Sequence, residues 1–181
     1  MVFVNLAEGF EELEAVSVIT VLRRAGVEVF LVSATESRVV TGVRGISMTA
    51  DTLISEADFS RCEMIVLPGG MPGASNLSKT PVLMAAIKDF SEKGKWIAAI
   101  CAAPAEVLGK SGILKGHKAT GYPGSEKNLI GAEVLDEKVV ISGKFVTSRG
   151  PGTALDFAFA LVKILKGEAE VKKVKEKMLV L

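Results

Sequence analysis

The chain has 181 residues, 49% hydrophobic and 24% charged, with 22 Lys and Arg against 21 Asp and Glu for a formal net charge of +1. Those proportions describe one globular domain spanning residues 1–181 with room for a substantial core, and the even charge gives no general argument for nucleic acid or an anionic membrane. No apolar run is long enough to cross a bilayer, and the opening MVFVNLAEGFEELE has no basic region and soon turns acidic, unlike a secretory signal.

Val2 to Leu6 reads as a short apolar strand, followed by a turn from Ala7 to Phe10 that contains Gly9. From Glu11 the period changes. Leu13, Val16, Thr20 and the Val21–Leu22 pair fall on one helical stripe, and Gly26 ends it as a C-cap. Val27 to Ser33 is again a strand, so the opening calls for parallel strands joined by a right-handed crossover. Arg38 to Ala50, with Val39 to Thr41, then Gly42 to Gly45, then Ile46 to Thr49, predicts a small hairpin or an irregular β excursion. Met64 to Leu67 is a third core strand and runs into PGGMPGASNL.

Pro81 to Phe90 reads as a helix with proline at its start and a Val82, Leu83, Ala86, Ile87, Phe90 stripe. Trp96 to Ile100 is a buried strand leading through Cys101 into a helix that begins near Ala103. A short strand is expected at Lys118 to Thr120. Ala132 to Leu135 and Lys138 to Ile141 flank Asp136–Glu137 and read as a hairpin. Phe145 to Ser148 is the last core strand. Thr153 then caps a helix to about Lys166, with Asp156 as a capping-box-like partner. Gly167 breaks that helix, and Glu168 to Lys177 forms a charged final one with Val171 and Val174 as its apolar contacts.

Strands alternating with helices along the whole chain predict an α/β doubly wound domain, a mostly parallel sheet with helices on both faces. Ligands in such sheets bind at the carboxyl ends of the strands. Gly9 to Glu14, Gly69 to Gly73, Cys101 and Ser148 to Gly152 all follow such ends, and this convergence marks Cys101 as the centre of a site. The small neighbours Ala99, Ala102 and Ala103 suit a sharp strand-to-helix turn that lifts one side chain above the sheet. Sulfur at a helix N-terminus is expected to have a lowered pKa. The plain alternative is a small, inert core cysteine. Neither Cys101 nor Cys62 has metal-ligand spacing, and cytoplasmic residence with reduced thiols is the expectation.

Glu8, Glu11, Glu12 and Glu14 crowd the first turn of the first helix. Dipole complementation on a solvated face accounts for at least two of them. A partly buried Glu14 would have a raised pKa, and its protonated form can donate a hydrogen bond to a thiolate and later act as general acid or base. Gly69–Gly70 after a strand reads as a simple turn or, functionally, as the place where the backbone N–H of Gly70, with that of Ala102, forms an oxyanion pocket beside the sulfur. Ser148 and Arg149 offer a hydroxyl and a cation at the same sheet edge. His117, the only histidine, lies in a predicted loop and reads as incidental. Tyr122 marks a turn or lines the pocket, and Trp96 is most simply core.

At AEGFEELE, LRRAG, VLPGGMPGASNL, AAICAAP, TSRGPGT and the closing LVL the chain resembles the ThiJ/PfpI superfamily. The branch is the one that holds the parkinsonism-associated deglycase and bacterial YajL. The resemblance covers nearly the whole chain and implies a flavodoxin-like fold. It implies Cys101 as the reactive nucleophile on a strained elbow, with a protonated Glu14 in contact with it. Gly70 and Ala102 match the oxyanion donors, and Ser148 matches the pocket hydroxyl. It also implies a homodimer with Arg24 and Arg44 near the subunit interface. Two positions depart from relatives. Ala102 stands where a histidine directly follows the cysteine in the proteolytic branch, and Tyr122 stands where several relatives have histidine, which argues against peptidase activity.

The expected function is therefore a cysteine-dependent, cofactor-free enzyme of the glyoxalase or deglycase kind. Its substrates would be a small aldehyde, methylglyoxal, or the adducts of that aldehyde on thiols and amines. No metal and no nucleotide is called for, since the glycines of PGGMPG lack the Lys–Ser or Lys–Thr of a phosphate-binding loop. A redox sensor or stress chaperone that uses the same cysteine is the alternative.

Overall fold

The computed structural model describes residues 1–180; Leu181, the last residue of the closing LVL, lies outside them. In chain order, β1 (Val2–Leu6) leads to α1 (Glu12–Arg24), then β2 (Val29–Ser33), the hairpin β3 (Val39–Thr41) and β4 (Ser47–Thr49), and β5 (Thr52–Leu53). β6 (Met64–Leu67) is followed by α2 (Gly73–Ser78) and α3 (Pro81–Glu92). Next come β7 (Trp96–Ile100), a π-helical segment over Pro104–Gly109, β8 (Lys118–Ala119) and β9 (Glu133–Val134). The chain closes with β10 (Val139–Ser142), β11 (Phe145–Ser148), α4 (Ala154–Lys166) and α5 (Glu168–Lys177).

Seven strands form one sheet in the order β10-β11-β7-β6-β1-β2-β5. All neighbours are parallel except β10, which runs antiparallel along the edge beside β11. The central strands are apolar on both faces because helices cover both. Successive side chains alternate between two cores, as the strand period of two requires. Val2, Val4, Leu6, Met64, Val66, Ala98, Ile100 and Val146 meet α1, α4 and α5. Phe3, Ile65, Leu67, Ile97, Ala99 and Phe145 meet α2, α3 and the π-helical segment. This is the α/β doubly wound arrangement the sequence predicts. Among the described residues no helix is long and apolar enough to cross a membrane.

Three local expectations are corrected. The buried face of α1 is not the Leu13–Val16–Thr20 stripe, because Leu13 is 55% and Val16 41% exposed. It is the face that carries Glu12, Glu14, Ala15, Val18, Ile19, Val21 and Leu22. Ala15, Val18, Ile19 and Leu22 form their own stripe at helical spacing, and the two carboxylates, each with backbone partners, share it. The expected hairpin about Asp136–Glu137 is also absent. β9 pairs instead with β8, in parallel, and β10 makes its hairpin with β11 through Gly143–Lys144. Thr153 stands at the head of α4, but its hydroxyl turns back to Gly150 and Ser148 rather than capping the helix, and Asp156 pairs with Lys138.

Candidate functional site

Parallel strands β1, β6, β7 and β11 end at one edge of the sheet, and the loops that leave them are tied together by backbone hydrogen bonds. Glu11 N–H donates to Gly69 C=O (3.0 Å), Gly73 N–H to Gly9 C=O (3.1 Å) and Cys101 N–H to Ser148 C=O (3.0 Å). Cys101 follows the last residue of β7 and takes a left-handed backbone, φ 65°. A residue with a Cβ is disfavoured there and is held only where the surroundings over-determine it. The sharp turn expected from the small residues around Cys101 is therefore present, although the segment after it is π-helical rather than a regular helix.

Cys101 is 8% exposed. Gly69 makes its close neighbourhood with Glu14 feasible, since a Cβ on Gly69 would stand 2.5 Å from Cys101 Cβ and 2.8 Å from Glu14 Oε2. Glu14 is fully buried, and its Oε2 accepts a hydrogen bond from Gly69 N–H at 2.7 Å. Oε1 is buried with no N–H or O–H partner, and the carboxyl interacts with the Cys101 thiol. Loss of solvent pushes Glu14 up to about 7, against the opposing pull of the Gly69 amide.

The thiol itself departs from expectation. Burial, and then the negative charge of an ionised Glu14, push Cys101 up to about 12 rather than down. The N–H groups of Gly70 and Ala102 act in the opposite sense and favour the sulfur anion. These are the two amides singled out in the sequence, and the fold brings both to the sulfur. When Glu14 holds its proton the like-charge repulsion is gone, so the ionisation of each group depends on that of the other.

The other sequence-named residues fall in different places. Ser148 lies beside Ile100 in register, is fully buried, and its hydroxyl donates to Lys138 C=O (2.7 Å) and meets Thr153 Oγ1 (2.7 Å). Its hydroxyl thus ties β11 to the head of α4 rather than facing a pocket. Arg24 is exposed at the end of α1, and Arg44 is exposed on the β3–β4 turn. His117 packs edge-on against Phe145, which pairs with Ile97 at the opposite end of the sheet from Cys101. Tyr122 is anchored at the site, with its N–H donating to Cys101 C=O at 2.8 Å. Cys62 is buried, its thiol donates to Met64 C=O, and burial raises it to about 11. No disulfide joins the two cysteines.

Two contributions are not evident in the sequence. The Gly69 amide holds the Glu14 carboxylate while that of Gly70 serves the sulfur; the consecutive glycines of PGG are the signal. Glu12, grouped with the solvated acids, is buried and accepts hydrogen bonds on Oε1 from Arg44 N–H (2.7 Å) and Ile46 N–H (3.2 Å). It fastens the hairpin turn to α1 two residues before Glu14. Among the described residues no cluster of His, Cys, Asp or Glu has the arrangement of a metal site.

A pocket of about 290 Å³ opens beside this centre, lined by Met71, Ala102, Glu106, Tyr122, Pro123 and Asn128 among others. A larger hollow of about 720 Å³ lies along α5, remote from the thiol.

Comparison with known proteins gives a consistent result. A model of the DJ-1/PfpI family matches residues 1–164. Protein DJ-1 homolog A of Arabidopsis thaliana is 43% identical over 175 residues, 96% of this chain and 45% of that protein. The chain thus spans less than half the length of that curated relative. The glutathione-independent glyoxalase DJR-1.2 of Caenorhabditis elegans is 34% identical, with 88% of this chain and 85% of that protein covered. The solved structure of Toxoplasma gondii DJ-1, described as oxidized, superposes with a TM-score of 0.95 at 40% identity, covering 98% of this chain and 97% of that one.

Proposed function

The chain belongs to the DJ-1/PfpI family, and from that premise we propose that it is a cysteine-dependent, cofactor-free enzyme acting on reactive carbonyls. It would convert methylglyoxal, or its early adducts on thiols and amines, to lactate. The observation that carries this reading is the Glu14 carboxyl, buried against Cys101, held on one oxygen by Gly69 and raised to about 7. A general acid or base works best with a pKa near the operating pH. The name of the Caenorhabditis elegans relative, a glutathione-independent glyoxalase, supports the same reading.

In this mechanism the Cys101 thiolate attacks the aldehyde carbon. A C–S bond forms, and the carbonyl electron pair moves to oxygen, where the Gly70 and Ala102 amides stabilise the charge. Protonation of that oxygen gives a hemithioacetal. The Glu14 carboxylate then removes the hydrogen on the same carbon as a proton and returns it to the neighbouring carbon, which leaves a thioester. Water cleaves the thioester to lactate and restores the thiol. Methylglyoxal plus water balances lactic acid, with no net oxidant or reductant. Lactate formation by wild type and Cys101→Ser is the test: product is expected from the first alone, and an equal rate in the variant would sink the proposal.

The description of the Toxoplasma gondii structure as oxidized favours a second reading. There peroxide would oxidise the Cys101 thiolate to sulfenate with release of water, and a second equivalent would give sulfinate. Peroxide-treated protein should carry two added oxygens on the Cys101 peptide by mass spectrometry, with Cys62 unchanged.

A homodimer is part of the proposal. Leu13 and Val16 on α1, and Val43 and Ile46 on the hairpin turn fastened to that helix by Glu12, are exposed apolar side chains. Exposed Arg24 and Arg44 belong to the same two elements, and such apolar surface with polar flanks suits subunit contact.

A further inference from the structure

The pocket beside Cys101 has a distinctive lip. Met71 follows Gly70, whose amide favours the sulfur anion, and Ala102 supplies the second such amide. Met71 is 51% exposed and Tyr122 is 52% exposed, and both line the pocket. The backbone of Tyr122 is pinned on both sides. Its N–H donates to Cys101 C=O at 2.8 Å, and Ser125 donates to its C=O through both N–H (3.0 Å) and Oγ (2.6 Å). Its ring lies against Gly150, where a Cβ would meet Cδ2 at 3.5 Å, so part of the ring is covered and the rest is open.

The charged groups around this ring are already engaged. Glu106 pairs with Lys110 at 2.7 Å and accepts from Asn128, while Arg149 pairs with Asp136. What the pocket offers an entering group is therefore a half-exposed aromatic ring and a half-exposed thioether beside the Cys101 turn. Both favour flat, apolar partners, by offset or edge contacts in the first case and sulfur–arene contacts in the second.

We propose that Tyr122 and Met71 form a seat for a planar apolar substituent, so that the Cys101 site selects aryl-substituted α-oxoaldehydes over methylglyoxal. The turnover part of this assignment rests on the carbonyl chemistry proposed above, whereas the seat itself does not. The reaction balances in the same way: phenylglyoxal plus water gives mandelic acid.

Two measurements test it on the full chain. The first is kcat/KM for phenylglyoxal and methylglyoxal, followed as mandelate and lactate, in wild type, Tyr122→Ala and Tyr122→Phe. Wild type should prefer phenylglyoxal, and Tyr122→Ala should lower the preference ratio about tenfold, the scale of an aromatic contact. Tyr122→Phe should keep the ratio. A merely structural lesion would slow both substrates and leave the ratio alone. The second measurement is the rate of Cys101 alkylation by N-phenyl iodoacetamide relative to iodoacetamide, which needs no turnover. That ratio should also fall in Tyr122→Ala and persist in Tyr122→Phe. If neither oxoaldehyde is consumed but the alkylation ratio falls, the carbonyl reading fails and the seat stands. An alkylation ratio unchanged in Tyr122→Ala overturns the seat.

Discussion

Gly69 and Cys101 stand so close that no side chain fits between them: a Cβ on Gly69 would lie 2.5 Å from Cys101 Cβ. The same absent Cβ lets the Gly69 amide reach Glu14 Oε2 at 2.7 Å. Gly69→Ala should therefore displace both side chains at once. The expected cost is roughly 1–3 kcal/mol of stability, as for an overpacked core, with loss of Cys101 alkylation. Thermal unfolding and iodoacetamide labelling on one preparation check this. A stable, fully reactive variant would show that the contact is slack.

Replacement of Glu14 by glutamine has two separable effects. In the folded chain the carboxyl is raised from 4.5 to about 7, so between those values the native state binds more protons than the unfolded one. Stability from this group is therefore fully present below about pH 4.5 and is lost as pH rises through about 7. Glu14→Gln, which never ionises, should be more stable than wild type above neutrality by up to about 3 kcal/mol, and the gap should close in acid. Denaturant titrations across that range measure it. Turnover should fall by about 10²–10⁴, the usual share of a general acid–base group, while Cys101 remains alkylatable.

Iodoacetamide at neutral pH should label Cys101 and spare Cys62. Cys62 is 1% exposed, whereas Cys101 is 8% exposed and lies beside the pocket lined by Ala102 and Tyr122. The labelling rate should keep rising above neutrality, since burial and the ionised Glu14 hold the thiol up to about 12. A rate that levels off near pH 7 would mean that the thiol ionises far more readily than its burial and the Glu14 charge allow.

Glu12→Ala should loosen the β3–β4 hairpin, because the turn amides of Arg44 and Ile46 lose their acceptor. Bonds to a charged group contribute roughly 1.5–3 kcal/mol each, so faster amide exchange at those residues is expected. Unchanged protection there would show that the hairpin holds itself.

Leu13→Lys should convert the proposed dimer to single subunits without unfolding them, since the side chain is already in solvent in the isolated chain. Light scattering of both proteins at micromolar concentration decides it. A single-subunit mass for wild type would remove the dimer from the proposal.

The order of strands and helices is legible because apolar runs and breakers alternate cleanly, and Cys101 stands out through its small neighbours and its place after a core strand. The face of α1 is harder to read. Its buried side carries Glu12 and Glu14 beside Ala15, Val18, Ile19, Val21 and Leu22, while Leu13 and Val16 are exposed, so two apolar stripes compete in the sequence. Tertiary partners, the Gly69 amide for one acid and the hairpin turn for the other, make burial of the two acids on that face favourable. Asp136–Glu137 has turn chemistry, as does Gly143–Lys144, and local composition does not say which pair of strands closes. The protonation of Cys101 is likewise a property of the assembled site, where burial and Glu14 oppose the amides.

The left-handed backbone at Cys101, φ 65°, carries a lasting consequence for the evolution of the chain. That conformation costs an L-residue about 1–2 kcal/mol and a glycine almost nothing. Selection for thermal robustness alone would drive position 101 towards glycine and lose the sulfur. Retaining cysteine there thus sets durability against reactivity at a single codon.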